Sequence, residues 1–185
     1  MIDKYIEYPL DKKYFEKIND LTSINLVIVG RDPYPKNPIK IPFMKSQWKE
    51  LDTKSSGYHL INSLYGFKKA KEKFSTPTEF SIFILSKGVV FLNCTYHYLD
   101  KERFSKKKHS KFCQLALKIN INILEKSNKI FLCGDAKNML ELAEIENLKD
   151  KTTAIPHPAL QSRNKIKDKN YWDKYWQLNS LSKLI

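Results

Sequence analysis

The chain has 185 residues, and at roughly 150 residues per domain this predicts a single domain over 1–185, long enough to bury a core without staples. Lys and Arg number 33 against 20 Asp and Glu, a net charge of +13, so the expected partners are polyanions, nucleic acid before an anionic membrane surface. Solvated faces filled with lysine account for the same surplus, and charge alone only leans towards nucleic acid. The hydrophobic share of 42% with 29% charged residues is too apolar for a disordered chain. No apolar run reaches the length of a membrane-spanning helix. The first twenty residues lack the apolar core of a signal peptide, so the expected compartment is the cytoplasm. Cys94, Cys113 and Cys133 are far apart and form no CxxC, which argues against a disulfide framework or a four-thiolate metal site and for buried free thiols.

In chain order, four short apolar and β-branched runs predict strands at 25–29 (NLVIV), 89–92 (VVFL), 130–133 (IFLC) and 152–155 (TTAI). Each is nearly continuous rather than alternating, the pattern of a strand covered on both faces. Between them, helical spacing links Leu60, Leu64 and Phe67, then Cys113, Leu117 and Ile121, then Met139, Leu140 and Ala143. A last helical stretch at 170–183 carries Trp172, Tyr175 and Trp176, an aromatic set read as core packing. Strands alternating with helices predict one three-layer α/β/α domain around a central four-stranded, mainly parallel sheet.

In open α/β sheets, ligands bind beyond the carboxyl ends of the strands. The first strand runs into Gly30-Arg31-Asp32-Pro33-Tyr34-Pro35, the second into Asn93-Cys94-Thr95, the third into Gly134-Asp135 and the fourth into Pro156-His157-Pro158. The polar residues of the sequence thus collect where the fold rule puts a site. Asp32 lies in a turn whose backbone N–H groups can hold its carboxylate ionised. His157 sits between prolines that restrict its backbone. The Asn93 amide offers a donor and an acceptor, which suits the edge of a planar heterocycle. Tyr34 and Phe43 supply a steric wall and a stacking surface. Taken singly, each has an ordinary reading as a turn, loop or strand-end residue; their convergence at four strand ends points to a pocket for a flat polar base, with one carboxylate and one histidine for chemistry.

Four segments then resemble, in family order, those of the uracil-DNA glycosylase superfamily, over residues 26–163. GRDPYP at 30–35 resembles its water-activating motif, GVVFLN at 88–93 its GVLLLN strand, IFLCGDA at 130–136 the strand and glycine that follow, and HPALQS at 157–162 its HPSPLS loop. Arg31 stands where the family usually has Gln, and TKSSGY at 53–58 where it has a Pro-Pro-Ser run. The resemblance implies that Asp32 positions the hydrolytic water or stabilises the sugar cation, and that His157 stabilises charge on the departing base. It implies that Asn93 reads the base edge, Phe43 stacks on it, and Tyr34 crowds carbon 5 to reject thymine, with Arg31 beside them. Leu160 would fill the gap left in the DNA stack, and Ser162 and His109 would touch phosphates.

The implied reaction is monofunctional hydrolysis of the N-glycosidic bond of uracil in DNA, leaving an abasic site. It requires no metal and no organic cofactor. Cleavage passes through an oxocarbenium-like sugar and a base anion, so fixed charges aimed at both catalyse it; extrusion of the base needs a pocket, a wedge and phosphate grips. The expected partner is DNA, single- or double-stranded, with an inhibitor protein of glycosylases as a further candidate; a monomer is expected. Three alternatives stand beside this reading. One is excision of another modified pyrimidine, for example in foreign or phage DNA. A second is a binding module of the same fold without chemistry, whose signature would be loss of Asp32 or His157. The third, an unrelated nucleotide-binding α/β protein, lacks a phosphate-cradling glycine loop. The Lys106–Lys107–Lys108 run reads equally as a phosphate contact or a solvated helix start, and His59 and His97 as structural or surface residues.

Overall fold

A computed structural model of the chain describes residues 10–34, 39–97, 106–136 and 146–159. The first helix, α1 (Lys12–Asn19), starts where the Asp11 carboxylate accepts the Tyr14 N–H at 2.9 Å, and leads into strand β1 (Leu26–Gly30). Helices α2 (Ser56–Leu64), α3 (Phe67–Lys73) and α4 (Pro77–Leu85) follow. Strand β2 (Val89–Asn93), the 20-residue helix α5 (Lys106–Glu125), strand β3 (Ile130–Cys133), a 3-10 segment (Glu146–Lys151) and strand β4 (Thr152–Ile155) complete the order. The Leu60, Leu64 and Phe67 spacing is split between α2 and α3 by Gly66, which takes φ +87°, a left-handed backbone that favours glycine. Pro77 opens α4 at a position where its missing N–H costs nothing, and the Thr76 hydroxyl caps the helix by accepting the Glu79 N–H at 3.1 Å.

The four strands form one sheet in the order β2-β1-β3-β4, and every pairing is parallel. The observed strands match the apolar runs to within one residue, since β1 is Leu26–Gly30 and β2 extends to Asn93. β1, β2 and β3 are buried at every position, as continuous rather than alternating runs require. The connection from β1 to β2 moves one way across the sheet and that from β2 to β3 the other. Right-handed crossovers therefore put α2–α4 on one face and α5 on the opposite face. α1 joins the first layer, where the buried Tyr14 hydroxyl accepts the Phe91 N–H of β2 at 2.8 Å. The described residues form a single α/β domain, and among them no helix is long and apolar enough to cross a membrane.

The reversal of direction at β1 leaves a crevice above the carboxyl ends of β1 and β3, because the connections leaving these neighbouring strands diverge. It lies between Gly30 and Gly134.

Candidate active site

A cavity of about 460 Å³ opens at this crevice, lined by Gly30, Arg31, Asp32, Tyr34, Phe43, Ser56, Cys133, Gly134, Asp135 and His157. It gathers the ends of β1, β3 and β4 with the start of α2. Five of the nine candidate residues line it: Arg31, Asp32, Tyr34, Phe43 and His157. Asn93, at the end of β2, is not among the lining residues; its side chain lies behind Gly30, which is. Leu160 and Ser162 lie outside the described residues, as do Met139, Leu140, Ala143 and the stretch 170–183. His109 falls in the first turns of α5, outside the part whose side chains are described, as do Lys106, Lys107 and Lys108.

The floor is built against Gly30. A Cβ at this glycine would lie 2.8 Å from Asn93 Oδ1 and 2.8 Å from Phe43 Cζ, so only a residue without a side chain lets the amide and the ring meet there. Asn93 is 3% exposed. Its backbone oxygen accepts the Asn120 side-chain N–H at 2.9 Å, and Asn120 in turn accepts the Tyr96 hydroxyl at 2.7 Å, which ties the end of β2 to α5. The side-chain amide of Asn93, in contrast, has no hydrogen-bond partner among the described residues. A buried polar group in that state is costly unless something binds it.

Phe43 has φ +66°, the one positive φ at a non-glycine position among the described residues. Such a backbone costs about 1–3 kcal/mol and needs surroundings that enforce it. Gly57 supplies part of them, because a Cβ there would collide with the Phe43 carbonyl oxygen. The ring is turned towards the cavity and packs edge-on against Phe91, with centroids 5.9 Å apart.

Arg31 and Asp32 follow β1 directly. Arg31 Nε donates to Asp32 Oδ1 at 3.0 Å and Nη2 to Oδ2 at 3.4 Å, while Nη1 donates to Asp135 Oδ2 at 3.1 Å. The guanidinium thus grips both oxygens of the recessed Asp32 carboxylate, whose side chain is 10% exposed, and is anchored across the crevice on the end of β3. Burial pulls the Arg31 guanidinium down, but the hydrogen bond and charge of Asp32, with those of Asp135, raise it above its ordinary value. Arg31 is a fixed cation.

Tyr34 stands at the wall. Its hydroxyl accepts the Gly57 N–H at 2.8 Å at the first turn of α2, and Lys45 Nζ sits 4.5 Å from its ring centroid. Burial raises the phenol, and the hydrogen bonds from Gly57, Ser56 and Ser55 only partly offset this. It is a neutral, rigid plate.

His157 is held from three sides. Pro156 and Pro158 flank it, and Gly134, at φ +57°, packs so closely that a Cβ would lie 3.2 Å from the histidine Cβ. The Ala159 N–H donates to Nδ1 at 3.2 Å, and Nε2 lies 3.1 Å from the Ser56 hydroxyl oxygen. A backbone N–H can only donate, so Nδ1 carries the lone pair and Nε2 the proton. The imidazole is assigned as neutral, with its one N–H directed at Ser56.

Gly134 and Asp135, expected at the end of the third strand, complete the site together with Ser56 and Gly57, which the sequence did not single out. The doubled serine of TKSSGY was their nearest signal: Ser55 caps α2 by accepting the Tyr58 N–H at 3.3 Å, which leaves Ser56 at the first turn facing the cavity. His59 and His97 stay outside the site, His59 on the Thr53 carbonyl at 2.8 Å and His97 against the Phe112 ring at 4.4 Å. All three cysteines are buried, and burial pushes their thiols up, to about 11 for Cys113; none is an activated nucleophile. Among the described residues no cluster of His, Cys, Asp or Glu could hold a metal ion.

No protein-family model matches the chain, and no curated protein is significantly similar to it.

Proposed function

We propose that the protein is a DNA glycosylase that hydrolyses the N-glycosidic bond of uracil in DNA and leaves an abasic site. The observation that carries this reading is one cavity lined by Asp32, His157 and the Phe43 ring, with the buried Asn93 amide, which has no hydrogen-bond partner among the described residues, directly behind Gly30 of its lining. An amide edge next to an aromatic face is a receptor for a flat heterocycle with adjacent donor and acceptor atoms. The cavity volume accommodates a base together with its sugar.

Each side chain then has a task. Phe43 stacks on the extruded base and Asn93 bonds its polar edge. Tyr34, fixed by Gly57, leaves no room for a methyl group at carbon 5. As the bond between C1′ and the base nitrogen breaks, its electron pair goes to the base and positive charge grows on the sugar. The His157 Nε2–H moves from Ser56 to the base oxygen and stabilises that negative charge without transferring its proton. Asp32, held by Arg31, faces the sugar cation and orients the water whose oxygen attacks C1′; the proton released passes to solvent. Fixed charges and dipoles aimed at both developing charges are an efficient form of catalysis. The surplus of 13 positive charges supports binding to a phosphate backbone, and three buried cysteines fit a reducing cytoplasm.

The test is cleavage of a labelled oligonucleotide with a single uracil, followed by alkali, for wild type and Asp32→Asn. Scission by wild type and none by Asp32→Asn, with DNA binding retained, is the expected result. Scission by both removes Asp32 from the mechanism. Absence of scission by wild type overturns uracil as the substrate and directs the same assay to modified pyrimidines.

A further inference from the structure

The opposite end of the first helical layer carries a second assembly that the proposed chemistry does not use. Tyr65, Phe74 and Phe83 pack on one another, with centroids 5.9 Å, 5.6 Å and 5.0 Å apart for the pairs 65–74, 65–83 and 74–83. All three are only partly buried. What covers them is cationic. Lys69 Nζ lies 4.6 Å from the Tyr65 centroid, and Lys87 Nζ 5.7 Å from that of Phe83. Lys73 Nζ lies 5.7, 5.6 and 5.1 Å from the rings of Tyr65, Phe74 and Phe83.

These cations have no anionic partners among the described residues. Lys68 pairs with Glu72 at 3.9 Å, but none of the exposed Lys69, Lys71, Lys73 and Lys87 has a carboxylate within 4.0 Å among the described residues. The neighbouring Glu79 is occupied as an acceptor for the Ser75 N–H at 2.8 Å. An exposed ammonium on a ring face is a weak and easily displaced cover.

We infer that this patch is a binding surface for single-stranded nucleic acid, in which bases stack on Tyr65, Phe74 and Phe83 while Lys69, Lys73 and Lys87 swing off the rings to pair with phosphates. Stacking on aromatic side chains beside a basic track is how single strands are held without sequence preference. A duplex cannot offer its base faces to half-buried rings, so the single strand is the occupant that the chemistry selects. The patch is separate from the cavity. α2 runs nine residues from Ser56 at the cavity to Leu64, about 13 Å along its axis, and Lys87 precedes the amino end of β2 while Asn93 ends that strand.

The experiment measures binding of a fluorescent oligothymidylate by anisotropy over a salt series, using the full chain in the Asp32→Asn background so that excision plays no part. The variant Lys69→Glu/Lys73→Glu/Lys87→Glu is compared with Lys118→Glu/Lys126→Glu/Lys149→Glu, which changes net charge equally elsewhere. The patch variant is expected to lose at least roughly tenfold in affinity, and its salt slope to fall by about 2; the control variant should lose only a few-fold. Photo-crosslinking with an iodouracil-substituted strand should attach to Tyr65, Phe74 or Phe83. Equal losses in the two triples overturn the inference, because affinity then follows net charge alone. Equal patch dependence for a duplex overturns the stacking. Patch-dependent binding of anionic vesicles without strand binding makes the partner a membrane and also overturns it. Failure here leaves uracil excision untouched, since that is read in a separate assay on a separate site.

Discussion

Asn93 and Asn120 are both buried asparagines, 3% and 4% exposed, and they touch through one hydrogen bond. Replacing each with leucine should nevertheless move stability in opposite directions. Asn120 is satisfied twice, by Tyr96 and by the Asn93 carbonyl, so Asn120→Leu strands a buried hydroxyl and a buried carbonyl at about 1–3 kcal/mol each. The Asn93 side chain has no such partners, so Asn93→Leu breaks no bond and removes an amide whose burial costs a similar amount. The close approach to Gly30 and Phe43 absorbs part of this gain, because leucine is the bulkier group there. A net stabilisation of about 1 kcal/mol remains, which for a chain of this size raises Tm by roughly 2–4 °C. Urea unfolding of wild type and both variants reads the effect as a shift in midpoint at constant slope. Uracil excision by Asn93→Leu should fall by roughly 10²–10³, the cost of losing a positioned donor. A loss of stability in Asn93→Leu comparable with that in Asn120→Leu would refute the reasoning: the amide would then be serving the fold and not a ligand.

Gly30→Ala drives a methyl group against both Asn93 Oδ1 and Phe43 Cζ and should destabilise by about 1–3 kcal/mol while narrowing the cavity; the check is loss of uracil binding beyond what the melting temperature explains. Tyr34→Ala should admit thymine, measured as release of free thymine from a thymine-containing oligonucleotide; continued exclusion would mean that the phenol is not the wall. Ser56→Ala should lower KM a few-fold with little change in kcat, because it removes the group that the base must displace from His157, whereas His157→Ala should lower kcat by roughly 10²–10³. Partial burial lowers the His97 imidazole below its ordinary value of 6.5. The unfolded chain therefore binds the proton more readily, and this contribution to stability is complete above pH 6.5 and is lost as pH falls towards the lowered value. His97→Gln should flatten that part of a stability profile recorded from about pH 7.5 to about pH 5.

β1, β2 and β3 were legible because parallel strands buried on both faces have no polar position to blur the run. β4 matches 152–155 residue for residue but, at the edge of the sheet, is fully buried only at Ile155, so the expectation that it is covered on both faces does not hold. The site was legible where its residues end strands: Arg31 and Asp32 after β1, Asn93 at the end of β2 and His157 after β4. What escaped is set by the order of strands in space. Arg31 meets Asp135 across 104 residues and Ser56 meets His157 across 101, and no local pattern encodes either pair. The backbone of Phe43 escaped for a different reason. A phenylalanine in IPFM carries no mark of a positive φ, to which the close packing of Gly57 on its carbonyl contributes.

The arrangement of those departures is itself an argument. Local preference and global fold agree through most of the described chain: caps at the helix starts, glycines at the left-handed turns, apolar residues along the strands. They conflict at one place. Phe43 is forced into a backbone suited to glycine, Asn93 buries an amide without a partner, and Asp32 is a recessed carboxylate held by its own neighbour. The first two lower stability and meet at Gly30, at the end of a central strand, with Asp32 two residues further along the chain. Strain scattered through a molecule would reflect a loosely optimised fold; strain gathered around one cavity marks surfaces shaped for something that completes them. The amide edge, the ring face and the carboxylate together fit a planar base attached to a sugar that becomes cationic.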